Sequence, residues 1–152
     1  HGRGTVGMVQ VFPNSRNVIP GRVKFSIDLR NSTDALVDQM ADEVKAFAAK
    51  VGQEHGVDVK IEMVSSYNAI AFHENCVDAV GRAAKKLGYS NMPAVSGAGH
   101  DAVYMAKLAP AGMIFIPCLN GISHNEIEGA KPEHIEAGCN VLLHAMLERA
   151  GT

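Results

Sequence analysis

Val23-Lys24-Phe25-Ser26-Ile27-Asp28-Leu29-Arg30 alternates apolar and polar residues without a break. Successive side chains of an extended chain point to opposite faces, so this spacing predicts a β-strand with Val23, Phe25, Ile27 and Leu29 on a buried face. Upstream, residues 5–12 are again rich in strand-forming types. The stretch 13–21 between them carries Asn14, Asn17 and the Pro20-Gly21 pair, residues that favour turns. An antiparallel pair joined by a long loop is therefore expected.

Downstream, Ser32 or Thr33 can cap a helix whose apolar residues Leu36, Met40, Val44, Phe47 and Val51 recur every three or four positions until Gly56 ends it. One face of that helix is expected on the sheet. Val57, Val59, Ile61 and Met63 then alternate with Asp58, Lys60 and Glu62, which predicts a third strand. The first half thus reads strand, strand, helix, strand.

The pattern changes near Phe72. Cys76, Val80, Ala84 and Leu87 share one side of a helix ending at Gly88, and the glycine-rich Ser96-Gly97-Ala98-Gly99-His100-Asp101 follows. A short helix from about Asp101 to Leu108 leads to Met113-Ile114-Phe115-Ile116-Pro117. That run is apolar throughout, which predicts a strand covered on both faces. Pro132 at a first helical position, with Glu133 and Glu136 close behind, opens a final helix carrying Ile135, Cys139, Leu142, Met146 and Ala150. The fold class is α/β, with a domain seam near Phe72.

Composition narrows the function classes. The 14 Lys and Arg against 16 Asp and Glu give a formal charge of −2, and three Tyr, five Phe and no Trp offer little for base stacking, so nucleic acid is not an expected partner. No apolar run approaches the roughly 20 residues of a membrane span, and no charged-then-apolar leader opens the chain; a soluble cytoplasmic protein is expected. Cys76, Cys118 and Cys139 are odd in number and lack CxxC spacing, which argues against a disulfide framework or a zinc knuckle. His1 stands where a natural chain would open with Met, and reads as the start of a fragment or a processed chain.

Four positions could carry chemistry on residue type and placement. His124 lies in the loop that follows the apolar strand, where α/β sheets bind ligands, and His100 lies in a second glycine-rich loop. A neutral imidazole can ligate a metal, and one that donates can polarise a carbonyl; spacing alone does not choose. Arg30 ends the polar face of the best strand, where a guanidinium could grip a carboxylate through two hydrogen bonds or pair with Asp28 on the same face. Asn17 could donate its amide to a ligand or satisfy a turn. His1, His55, His73, His134 and His144 receive no role.

Taken together, Asn17-Val18-Ile19-Pro20-Gly21 with Asp28-Leu29-Arg30, then Ser96-Gly97-Ala98-Gly99-His100-Asp101-Ala102, then Gly121-Ile122-Ser123-His124-Asn125 resemble the hydantoinase/carbamoylase branch of the M20 metallopeptidase-like amidohydrolases. That branch includes N-carbamoyl-L-amino-acid hydrolases, allantoate amidohydrolases and β-ureidopropionases. The first motif is shared widely across M20 enzymes, and the second is far more specific to the branch.

The resemblance implies a catalytic α/β domain holding two divalent ions, with a smaller lid or dimerisation domain inserted. On that plan residues 1–72 are the second half of the lid, and residues 73–152 are the C-terminal segment of the catalytic domain. It implies His124 as a metal ligand and Asn17 and Arg30 at the substrate's carboxylate end, in their own or a partner subunit's site. Gly99 and His100 would contact substrate. The bridging aspartate, further ligands and glutamate general base of the family lie upstream, so no catalytic residue is expected in this chain, and its metal site should be incomplete or empty. The ions implied are two of Zn, Mn, Co or Ni, all of which accept imidazole and carboxylate. The implied substrate is a small N-carbamoyl-L-amino acid or ureido compound, released as amino acid, carbon dioxide and ammonia, and the implied assembly is a homodimer through the lid. Another M20 enzyme, such as an aminoacylase or dipeptidase, and a non-catalytic dimerisation or binding module are the competing readings.

Overall fold

The computed structural model describes residues 1–151. It resolves into two compact units: His1–Ala69 together with Val95–Gly97, and Ile70–Ala94 together with Ala98–Thr152.

In the first unit, β1 (Arg3–Phe12) and β2 (Arg22–Arg30) form a two-stranded antiparallel sheet, with Arg3 opposite Arg30 and Phe12 opposite Arg22. The register shifts between Val6 and Met8, where Gly7 makes the irregularity. The Arg22 guanidinium covers the Phe12 ring at 4.1 Å, closing the loop end of the ladder. The expected strand pair is present, but its apolar face is not buried: Val23, Phe25 and Ile27 stay 43–53% exposed.

Helix α1 (Asp34–His55) is capped by Thr33, whose Oγ1 accepts from the Leu36 amide at 3.4 Å, and it ends at Gly56 in the left-handed region with φ +64°. Its shielded stripe is turned from the expected one. Val37, Met40, Ala41, Val44, Ala48 and Val51 are half-buried and Gly52 is buried, whereas Leu36 and Phe47 lie outside. Two strands are too narrow to cover a helix of 22 residues. Residues 57–63, predicted as a third strand, form no strand: the sheet has two members, and an extended segment without a ladder partner satisfies no strand hydrogen bonds. Instead the Val57 amide bonds to the Gly52 carbonyl at 2.9 Å, turning the chain back across the helix end.

In the second unit, α2 (Glu74–Lys86) packs against α4 (Pro132–Ala150). His73 caps α2, its Nδ1 accepting from the Asn75 amide at 3.2 Å, a structural role for a histidine that residue type alone did not assign. The buried core is small: Ala79, Ala83 and Ala84 of α2 against Val141 and Ala145 of α4. Short side chains let the two helices approach closely. The larger residues expected to pack, Ile135, Cys139, Leu142 and Met146, instead line an open groove of about 450 Å³ together with Cys76, Val80 and Ile114. The predicted short helix is present as α3 (Ala102–Met105). Residues 113–117 join no ladder; Met113, Ile114 and Ile116 are half-buried but Phe115 is 52% exposed, so the segment expected as a strand covered on both faces forms no strand and is only partly covered.

The exposed surface totals 12225 Å². Two independent compact units of half this mass would together expose roughly 8,900 Å² by the usual size scaling. Large apolar side chains contribute to that exposure, Ile19, Met63 and Leu108 among them at 80–90%.

Candidate functional site

Asn17 sits in the loop between β1 and β2, which opens with a cis Phe12-Pro13 bond and has Asn14 at φ +59°. Its Oδ1 accepts from Ser15 Oγ at 2.8 Å, so the amide oxygen serves the turn.

Arg30 ends β2 and is engaged on two sides. Nε reaches Asp28 Oδ1 at 2.6 Å and Nη2 reaches Oδ2 at 3.2 Å, while Nη1 donates to the Gly97 carbonyl at 2.7 Å. The paired guanidinium holds the Asp28 carboxyl below its usual range, first by hydrogen bonding and then by charge, and the carboxylate raises Arg30 in return. The ion pair that competed with carboxylate binding is thus formed. Three of the five N–H donors are used, and two remain on the Nη atoms. Sequence reasoning missed Arg3. It is the ladder partner of Arg30, and a Cβ added at Gly97 would run into its guanidinium, so both arginines meet the same glycine at one end of the sheet. The signal was available in the antiparallel register, once a turn of nine residues is placed between the strands.

In the second unit, a Cβ added at Gly99 would meet no heavy atom within 4 Å, so the immediate surroundings do not demand glycine there. The His100 ring lies 5.4 Å from the Phe115 ring at 60°, and its carbonyl accepts from the Val103 amide at 2.9 Å as α3 begins. The apolar segment therefore fixes one histidine along its length, and the other stands in the loop that leaves its end. That loop runs from Cys118 through a 3-10 turn at Leu119–Gly121 and returns to a bridge between Cys118 and Ala130. His124 projects from it at φ +58°, with Nδ1 3.3 Å from Ser123 Oγ and its backbone amide donating to Glu128 Oε2 at 2.7 Å. Glu128 was not singled out by residue type, because a single glutamate in a loop carries no pattern.

A metal ion asks more than this chain supplies. Among the described residues no three His, Cys, Asp or Glu side chains gather as a possible cation site. A catalytic site of the zinc type takes three protein ligands and a water, so the residues present do not by themselves fit one. Among the described residues no helix is long and apolar enough to cross a membrane.

The family profile described as Peptidase family M20/M25/M40 matches residues 1–148, and the chain belongs to that family. It is 47% identical over 147 residues to an N-carbamoyl-L-amino-acid amidohydrolase of Rhizobium meliloti, covering 97% of this chain and 35% of the relative. An allantoate amidohydrolase of Bacillus subtilis is 32% identical over 148 residues, covering 97% of this chain and 36% of that one. Among solved structures, an amidase of the hydantoinase/carbamoylase family from Burkholderia multivorans superposes with a TM-score of 0.93 at 53% identity, over 98% of this chain and 36% of that chain. The chain spans about a third of the length of these relatives.

Proposed function

We propose that this chain works as the C-terminal third of a metal-dependent amidohydrolase that cleaves N-carbamoyl-L-amino acids, or close ureido compounds, to the amino acid, carbon dioxide and ammonia. The observation that carries the reading is 47% identity, sustained over 97% of the chain, to an amidohydrolase of N-carbamoyl-L-amino acids. The likeness to an allantoate amidohydrolase keeps the substrate class at ureido compounds rather than one molecule.

In this reading residues 1–72 belong to a lid that carries the dimer contact, and residues 73–152 belong to the catalytic domain, acting in the cytoplasm. Asn17, through its amide nitrogen, and Arg30, through its Nη hydrogens, hold the substrate's carboxylate end. Gly99 leaves the backbone accessible to substrate, and His100, steadied by Phe115, contacts it. His124 is the one metal ligand contributed here. Two divalent ions, of Zn, Mn, Co or Ni type, would polarise the ureido carbonyl and activate water when bound. The general base and the remaining ligands come from outside these residues, and no step is assigned to this chain alone.

The test compares the isolated chain with the full-length protein. Dialysed and analysed for metal, and assayed for ammonia release from a carbamoyl amino acid, the isolated chain should hold no stoichiometric ion and show no turnover. In the full-length protein His124→Ala should abolish turnover and reduce bound metal. Full activity after that change would overturn the assignment of His124.

A further inference from the structure

We propose that Glu128 is a positioning residue whose carboxylate clasps the loop between Cys118 and Ala130 and fixes the backbone from which the His124 imidazole projects. The inference rests on the reading that His124 works in the site. Its geometry is independent of what the imidazole touches.

His124 lies at φ +58°, in the left-handed region that side chains other than glycine enter only when local contacts hold them there. Asn120 at φ +55° and Gly121 at φ +69° precede it, so the loop makes three left-handed residues within five positions. Such a backbone needs its polar groups answered at fixed points. The base is closed by the Cys118 and Ala130 bridge and by the Leu119 amide donating to the Gly129 carbonyl at 2.7 Å. The return arm is a turn on Asn125, whose Oδ1 accepts from the Ile127 amide at 3.2 Å and whose carbonyl accepts from the Glu128 amide at 2.9 Å.

Glu128 joins the two parts. Oε2 accepts the His124 amide at 2.7 Å, and Oε1 lies 4.0 Å from Cys118 Sγ, the weaker contact of the two. A charged acceptor at this distance makes a strong hydrogen bond to a backbone donor. It acts on a residue whose conformation is costly, while the ring itself meets Ser123 Oγ at 3.3 Å from Nδ1. Withdrawing the carboxylate therefore frees the backbone of His124 to return to negative φ, swinging the imidazole away from its present direction.

The experiment pairs a conformational readout with a kinetic one. The three-bond coupling between Hα of His124 and the carbonyl carbon of Ser123 is large at φ about +60° and small at negative φ, and it is measured in the chain described here, for wild type, Glu128→Ala and Glu128→Gln. In the full-length protein the same variants are assayed for kcat and KM beside His124→Ala. Glu128→Ala should change the coupling and lower kcat roughly tenfold or more with KM nearly unchanged, the size typical of losing a group that orients an active side chain. Glu128→Gln keeps an oxygen for the His124 amide and should restore most of both, which a merely destabilising change would not do. An unchanged coupling, or a changed coupling with kcat intact, overturns the proposal. Full activity in His124→Ala overturns the role of His124 instead, and with it any kinetic consequence of the clasp, whatever the coupling shows.

Discussion

Arg30 closes its guanidinium on Asp28, two residues back on the same face of β2, through Nε to Oδ1 at 2.6 Å and Nη2 to Oδ2 at 3.2 Å. Both side chains are about half exposed, so the pair contributes about 0–1 kcal/mol to stability. Its larger effect is on direction: it holds the guanidinium plane while Gly97 accepts from Nη1. In the full-length protein Arg30→Lys should raise KM or lower kcat/KM by roughly tenfold or more, because an ammonium cannot reproduce the planar fork, while the melting temperature stays nearly constant. Unchanged kinetics with a lowered melting temperature would leave Arg30 only the ion pair.

Acid should loosen the second unit through Glu148. Arg82 of α2 reaches its Oε1 from Nη2 at 2.6 Å and from Nε at 3.0 Å, and this pairing holds the carboxyl below its ordinary value of 4.5. A carboxyl with a lowered folded pKa binds fewer protons folded than unfolded. Its stabilisation is complete above the unfolded value and is lost as pH falls through the folded one. Between about pH 5 and pH 3 the melting temperature of the wild type should therefore fall more steeply than that of Glu148→Gln. Parallel curves from circular dichroism would show that the pair adds nothing.

Two glycine substitutions should act with opposite sign. At Gly52 a Cβ would lie 2.9 Å from the Val57 carbonyl oxygen and 3.1 Å from Val59 Cγ2, both on the segment that turns back over α1. Overpacking of that kind costs about 1–3 kcal/mol against a helix-propensity gain of about 1 kcal/mol, so Gly52→Ala should destabilise. Gly81, inside α2, has nothing within 4 Å of its Cβ position, so Gly81→Ala should stabilise by up to about 1 kcal/mol. Urea titrations of both variants that shift the same way would contradict this.

Self-association is expected of the isolated chain. Val9, Phe25, Val6 and Ile27 are 43–58% exposed on a two-stranded sheet with open edges, the combination that draws a second copy. Sedimentation velocity at micromolar concentration should show dimers or larger species, and Phe25→Lys should weaken them. A single monomeric boundary for the wild type would rule this out.

Elements whose signals are local were legible in the sequence. The strand at Val23, the cap at Thr33, the stop at Gly56 and the proline at the start of α4 each act through one or two neighbours, and each stands where the spacing put it. Residues 57–63 alternate as a strand does and residues 113–117 are apolar throughout as a covered strand is, but a strand exists only against a partner, and these segments find none among the described residues. Helix faces differ from expectation for a related reason. Periodicity ranks large apolar residues first and so puts Leu142 and Met146 inside, whereas the contact between α2 and α4 uses Ala79, Ala83 and Ala145. The site residues named from motif strings are all located, Asn17 in a turn, Arg30 in an ion pair, Gly99 and His100 before α3, and His124 on its loop. Arg3 stands out only once the ladder register is worked out across the turn, and Glu128 was not visible, because its importance comes from one backbone hydrogen bond.

The five-residue core of α2 and α4 sets how this chain should melt. An unfolded chain of 16.1 kDa exposes roughly 23,000 Å², so folding to 12225 Å² hides about half of it, where a domain of about 150 residues hides about 68–70%. Heat capacity follows newly exposed apolar surface, and a well-buried domain of this length would show an increment near 2 kcal/mol/K on unfolding. The increment here should fall well below that. With so little shared interior to lose at once, the calorimetric peak should be low and broad, each unit softening over tens of degrees rather than at a single sharp temperature.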